Sequence, residues 1–427
     1  MPWVVVLQGT LRTLSDATGI HPVDFVSLDG GDVYHLATPS ETRRVVPGSV
    51  CVTECENDGK IESAGRAADT VRIVVYRHPA GEPAQPARPL SDEAVKAFVR
   101  REGAWETAGV TVVPGYEDLF SRSRGILETD KVAGMRVLLL GCGSGGCEIA
   151  LGLVQSGVQR IYLVDPDRIE LGNIARHDAG VSDIGRLKTL YLRQRLCEKN
   201  PYVQVGTWEA AVSWENIEAT RSLVAQSGLV ICATDTRESR IIINKLCIRE
   251  RKPCILGAAF RRAYGGQVLV VRPFEGACYQ CFLQALPDEA EDQEISSETA
   301  AERIAYSDRP VAVEPGLFND IKPIAQMMIK LAIQILIKGR ETTLASLNED
   351  LVAPWFLWLS RREAGSPYAD LPPLEFGVDG LRILRWYGID LARNPACPAC
   401  GDFTGHMAKE LGVEIDPSAV QAFGGSK

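Results

Sequence analysis

RVLLLGCGSGGCEIALGLVQSGVQRIYLVDPDRIELGNIARHDAGVSDIGRLK, residues 136–188, decides the fold. Its apolar run Val137–Leu140 meets Gly141, Gly143 and Gly146 in G-x-G-x-x-G spacing. A helical stretch from about Ser144 to Ser156 follows, then a second apolar run, Ile161 to Val164, ending at Asp165. That order predicts a βαβ unit whose first turn can cradle phosphate. Gly141 permits the tight turn, Gly143 lets backbone approach a phosphate, and the helix N-terminus offers unpaired N–H groups.

The glycine fingerprint alone is shared by dehydrogenases, methyltransferases and flavoenzymes. Asp165, 19 residues after Gly146, suits a ribose hydroxyl and would serve NAD equally well. The discriminating residues come next: Asp167, Glu170, Asn173, Arg176 and Lys188 lie within about 25 residues of the second strand's end. Taken singly, each reads as a solvated loop group. Together they suit an enzyme that cleaves ATP at the α-phosphate, where Arg and Lys offset charge developing on the phosphoryl group.

DPDRIELGNIARH, residues 165–177, resembles the D-x-D-x-V-E-x-x-N-x-x-R-Q signature of the ubiquitin-activating enzyme superfamily, which includes the bacterial ThiF, MoeB and HesA proteins. Lys188 matches that family's later lysine. ICATDTRESR, residues 231–240, resembles its D-x-x-D-N-x-x-x-R segment, and LFSRSRGIL, residues 119–127, resembles R-Y-x-R-Q-x-x-L. The resemblance covers about residues 116–405. Departures are His177 for Gln, Thr236 for Asn and the missing leading Arg-Tyr of the first motif.

The resemblance implies ATP across the strand ends, with phosphates at Gly141, Gly143, Ser144, Gly145 and Gly146 and ribose at Asp165. It also implies a polar set of Asp167, Asn173, Arg176 and Lys188, Mg²⁺ at Asp235, and Arg122 reaching the partner subunit's site in a homodimer.

Of 12 cysteines, four form C-x-x-C pairs: Cys278/Cys281 and Cys397/Cys400. Two knuckles supplying four thiolates suit a closed structural Zn²⁺ site. The rival reading is a redox disulfide, although a thioredoxin-like pair would open a helix, and the second pair sits in NPACPACG. The other eight, several of them in apolar runs, fit a reducing, cytoplasmic setting. No cysteine occurs between Cys281 and Cys397, so the acidic stretch 284–315 carries no thioester acceptor of the kind found in many relatives.

The formal net charge of −9 argues against nonspecific nucleic-acid or anionic-membrane binding. The opening MPWVVVLQGTLRTLSD lacks the basic leader and cleavage site of a signal peptide. Ile321–Lys338, interrupted by Lys322, Gln326, Lys330 and Gln334, reads as a buried amphipathic helix rather than a membrane span.

Four segments are expected. Residues 1–78 form a small β-rich or α+β module, with strands at Val4–Leu7, Val33–Ala37 and Val71–Tyr76. Residues 79–115 are a Pro/Ala linker and a connecting helix, residues 91–112 reading as helical and then extended. Residues 116–412 form the adenylation domain, and 413–427, with its internal Gly-Gly, a flexible tail. The expected class is α/β: a Rossmann-like, mostly parallel sheet with zinc knuckles, plus the N-terminal module.

The expected activity is adenylation of the C-terminal carboxylate of a ubiquitin-like protein ending in Gly-Gly. The product would pass to a conjugating enzyme in a bacterial ubiquitin-like pathway, antiphage defence among the settings. Sulfur-carrier activation of MoeB or ThiF type and microcin-type peptide adenylation are alternatives. An NAD-dependent oxidoreductase and a non-catalytic scaffold remain from other classes.

Overall fold

The computed structural model describes residues 1–15, 19–28, 33–36, 45–53, 68–76, 95–113, 119–286, 316–374, 380–402 and 409. The stretch 79–94 of the expected linker, residues 77–78 and 287–315, Cys55 and the 413–427 tail lie outside them. The chain divides into two compact units, Met1–Arg122 and Ser123–Lys427.

Among the described residues, the first unit is a closed barrel of seven strands with one α-helix. The strands are β1 (Trp3–Leu7), β2 (Gly19–Leu28), β3 (Val33–Leu36), β4 (Val45–Thr53), β5 (Val71–Tyr76), β6 (Val95–Arg101) and β7 (Ala104–Val113), with helix α1 (Gln8–Ser15) after β1. They close in the order β1-β3-β2-β4-β5-β6-β7, β1 running parallel to both β3 and β7. Alternate residues face inward, as the period of a strand requires. Val4, Val6, Phe25, Val50, Ile73, Val95, Ala97 and Val99 build the core.

The connecting helix expected within 91–112 is therefore corrected. Val95–Arg101 and Ala104–Val113 pair antiparallel as the last two barrel strands. Burial of Val95, Ala97 and Val99 follows a two-residue period, which overrides the helix propensity of the Ala, Glu and Lys around them.

The second unit is an eight-stranded sheet ordered β10-β9-β8-β11-β12-β13-β14-β15. Its strands are β8 (Arg136–Leu140), β9 (Arg160–Val164), β10 (Gln204–Trp208), β11 (Leu229–Cys232), β12 (Cys254–Ala259), β13 (Gly265–Val271), β14 (Trp355–Leu359) and β15 (Arg385–Ile389). The first five in that order run parallel; the last three alternate antiparallel.

Helices cover both faces: α2 (Ser144–Gln155), α3 (Lys188–Lys199), α4 (Ile217–Ala225), α5 (Arg237–Arg249), α6 (Tyr279–Ala285) and α7 (Phe318–Ile337). Two-sided cover explains why β8 reads as an unbroken apolar run. Val137 and Leu139 enter the core with α2, α3 and α7, while Leu138 and Leu140 enter the one with α5 and α6.

Helix α7 is the reading of 321–338 realised. Its buried stripe includes Ile324, Met328, Leu331, Ala332 and Leu336. Burying each large side chain of this kind contributes roughly 1.5–3 kcal/mol. Lys322 and Gln326 reach Glu148 on α2, at 3.0 and 2.8 Å. Buried Gln334 donates to the carbonyls of Leu347 and Leu351. Among the described residues, no helix is long and apolar enough to cross a membrane.

Candidate nucleotide site

The parallel strands β8, β9 and β11 end on one rim, and the candidate residues collect there. Gly141 leaves β8 with φ +90°, where a Cβ would stand 2.6 Å from the Ala233 carbonyl oxygen. At Gly146 a Cβ would fall 1.9 Å from the Gly141 oxygen, so only glycine lets helix α2 start so close beneath the turn. Gly143 is different, because a Cβ there would meet none of the described residues within 4 Å. It caps α2 without a side-chain hydrogen bond. The first amides of the helix, at Ser144 and Gly145, have no intrahelical acceptor by geometry and face an open approach for an anion.

Asp165, at the end of β9, is buried and spends its carboxylate on this turn. Oδ2 accepts from the Cys142 N–H at 2.6 Å and Oδ1 from the Asp167 N–H at 2.9 Å. Burial raises its pKa, opposed by those two bonds and by Lys188. The expected ribose ligand is thus also the brace of the glycine turn.

Lys188 is the first residue of α3 and is buried. A cation at a helix N-terminus opposes the helix dipole by about 0.3–1 kcal/mol. Its Nζ is held 2.7 Å from Asp167 Oδ2, the acid itself being largely exposed. Asn173 closes a short 3-10 turn, its Oδ1 accepting the Glu170 N–H at 3.0 Å. The backbone N–H groups of Arg176 and His177 both point at the Asn173 carbonyl.

A cleft of about 140 Å³ opens beside the turn, lined by Ser144, Gly145, Thr234, Asp235, Arg240 and the apolar side chains Ile321, Ile324 and Met328, among others. Asp235 stands exposed just before α5, whose cap Thr236 accepts the Ser239 N–H. Arg240 is buried and donates to the Thr234 carbonyl at 2.8 Å. The Arg176 guanidinium lies beside Gly316, where a built Cβ would stand 3.5 Å from its Nη1 and 3.4 Å from the side chain of Ile321. The structure therefore brings together the glycine turn, Asp165, Asp167, Asn173, Arg176, Lys188 and Asp235. Arg122 lies exposed on the 3-10 turn Ser121–Ser123 and belongs to the first unit.

Two contributors, and one residue that supports the start of α7, were not singled out by the sequence reading. His177 stood out only as a departure from a motif, yet it hydrogen-bonds the glycine turn. The α7 side chains in the cleft gave no signal beyond an apolar stripe. Arg361 lies in no motif. It pairs with Asp320 at the start of α7 and donates to the carbonyl of Arg262, in a turn where Arg262 and Ala263 hold left-handed φ of 57° and 53°.

The four knuckle cysteines are buried, with all their sulfurs within 4.8 Å of one another. Cys278 Sγ lies 3.8 Å from Cys281 and 3.7 Å from Cys397, and Cys281 lies 3.5 Å from Cys400. A tetrahedron with metal–sulfur bonds of about 2.3 Å has edges near 3.8 Å, so the donor set fits zinc. Cys278 does cap a helix, α6, so the helix criterion does not separate a knuckle from a redox pair; the meeting of four sulfurs does. Near the turn, burial pushes the Cys142 thiol far up and Cys147 up to about 12. Cys232 and Cys254 are raised by the same cause. None of these four is a ready thiolate.

A profile of the ThiF family matches residues 119–411. The chain is 32% identical over 173 residues to the sulfur carrier protein ThiS adenylyltransferase of Escherichia coli K12, covering 38% of this chain and 67% of that protein. It is 28% identical over 281 residues to the adenylyltransferase and sulfurtransferase uba4 of Pyricularia oryzae, covering 62% and 49%. With the adenylyltransferase and sulfurtransferase MOCS3 of Dictyostelium discoideum it shares 29% identity over 152 residues, 35% of each chain. It thus spans two thirds of the first relative and half or less of the other two. Among solved structures it is similar to E. coli MccB with ATP, at a TM-score of 0.45 and 19% identity over 64% of this chain and 68% of that one.

Proposed function

Because this chain belongs to the ThiF family, we propose that it adenylates the C-terminal carboxylate of a small ubiquitin-like protein. The observation carrying this reading is the meeting of the helix N-terminus at Gly143 with buried Lys188, cleft-lining Asp235 and Arg240, and Arg176 beside Gly316. ATP lays its phosphates on the Ser144 and Gly145 amides, with its ribose toward Asp165. Asp235 would hold Mg²⁺, directly or through water, and the bound ion would supply positive charge to offset that of the pyrophosphate group.

A carboxylate oxygen of the partner attacks the α-phosphorus in line. The bond from the α-phosphorus to the bridging oxygen breaks, and pyrophosphate leaves with that electron pair. Arg176 and Lys188 stabilise the charge passing through the transition state, Asn173 orients phosphate oxygens, and Arg122 of a second copy adds a cation. The chain sends the adenylate toward a conjugating enzyme, with the barrel as the docking unit for a partner protein. Relatives that are sulfurtransferases as well as adenylyltransferases favour a second fate, sulfur transfer to a carrier protein. In both fates zinc at the four cysteines ties the fold and takes no part in the chemistry.

ATP–pyrophosphate exchange with proteins ending in Gly-Gly tests the reading. Arg176→Ala and Asp235→Ala are each expected to lower kcat by about 10²–10³, the loss typical of one oriented electrostatic group, with thermal unfolding unchanged. Wild-type exchange rates in either variant would refute the assignment.

A further inference from the structure

His177 has no assigned part in the reaction above, yet its ring sits where the pieces of the site meet. It is buried, with Nε2 3.0 Å from the Cys142 carbonyl oxygen of the glycine turn and Nδ1 accepting the Ala179 N–H at 3.1 Å. A neutral imidazole has one donor and one acceptor. With Nδ1 accepting, the proton is on Nε2 and is donated to Cys142. The next residue, Asp178, is pinned to α3 by the Tyr191 hydroxyl and Arg195 Nε, both at 2.9 Å. The Tyr191 ring lies 5.7 Å from the imidazole. The preceding residue is Arg176.

We propose that His177 is a positioning residue: its neutral ring fastens the glycine turn to the loop bearing Asn173 and Arg176 and to the helix that begins at Lys188. Backbone donors and both cations are thereby aimed at one phosphate group. The identity of that phosphate rests on the adenylation reading; the bracket itself does not.

The ring is faced by Cys142 and Asp165 from the turn side, by Asp178 beside it, and by Tyr191 and Lys188 from α3. Burial holds its pKa below the ordinary 6.5; Lys188 adds to that, while the Cys142 carbonyl, Asp178 and Asp165 oppose it. Protonation would put an N–H on Nδ1 facing the Ala179 N–H, donor against donor. The bracket is therefore intact above the ordinary value and is lost as pH falls through the depressed one.

Two variants of the full chain test it. His177→Gln keeps one N–H donor and one acceptor; His177→Leu keeps neither. Calorimetric titration with MgATP at neutral pH is expected to show about tenfold weaker binding for His177→Leu and wild-type binding within about threefold for His177→Gln, the scale of one lost hydrogen bond. On acidification from pH about 8 to about 5, wild-type affinity falls more steeply than that of His177→Gln. Amide hydrogen exchange across 142–146, read without nucleotide, loses protection in the Leu variant and keeps it in the Gln variant.

A folded Leu variant with wild-type affinity and protection overturns the proposal. So does a Gln variant no better than Leu or sharing the wild-type acid limb. Should the wild type bind no MgATP, the adenylation reading fails while amide exchange still decides the bracket. Should Leu fail to fold, the Gln pH profile decides it.

Discussion

At the residue scale, the three glycines of one fingerprint do unlike work. Gly146 serves the fold: glycine inside a helix ordinarily costs about 0.5–1 kcal/mol against alanine, but a Cβ 1.9 Å from the Gly141 oxygen reverses the sign. Gly146→Ala is expected to destabilise the chain by about 1–3 kcal/mol, the usual range for overpacking, measured by urea denaturation. Gly143 serves the ligand. Gly143→Ala meets open space, so stability should hold within about 0.5 kcal/mol while MgATP binding weakens. Full affinity in that variant would move the phosphates elsewhere. The tight turn at Gly141 was legible from the spacing, and the packing role of Gly146, placed there only among the phosphate contacts, was not. The second duty of Asp165 was not, since spacing places a carboxylate at a strand end without saying which donors reach it first.

At the scale of elements, the βαβ unit and the knuckles could be read directly, and the cleft wall could not. The four cysteines join α6 to a loop beyond β15, pairing residues 119 apart in sequence. Zinc content by mass spectrometry is expected at one ion per chain, and a chelator or Cys397→Ser should lower Tm by roughly 5 °C or more, as for about 2 kcal/mol lost in a domain this size. A metal-free chain with the same Tm would leave the four sulfurs a merely packed cluster. Helix α7 shows the opposite case. Its apolar spacing says that one side is buried, but not that Ile321, Ile324 and Met328 border the nucleotide turn, because periodicity carries no information about which neighbour does the covering. The same limit hid Arg361, whose partners come from α7 and from the turn before β13.

For the whole molecule, the two units have separate cores, one inside the barrel and two flanking the large sheet. Scanning calorimetry of the full chain should resolve two unfolding transitions, and a single transition with equal calorimetric and van't Hoff enthalpies would refute their independence. The barrel was the least legible part. Its Val-rich runs announce strands, but β1 pairs parallel with β3 and β7, a choice made by distant chain that no local pattern records. The stretch ahead of β7 misled through its Ala, Glu and Lys content, while its inward valines carried the truer signal.

The closure of that ring has a consequence for how other molecules can take hold of it. Among the described residues the seven strands pair in a closed ring, so the barrel has no outermost strand to which an extended peptide could add as an eighth. Recognition of this unit must come through side chains and loop tips. Among the described residues, the outer strands that strand grafting could use are those of the open sheet, Gln204–Trp208 and Arg385–Ile389.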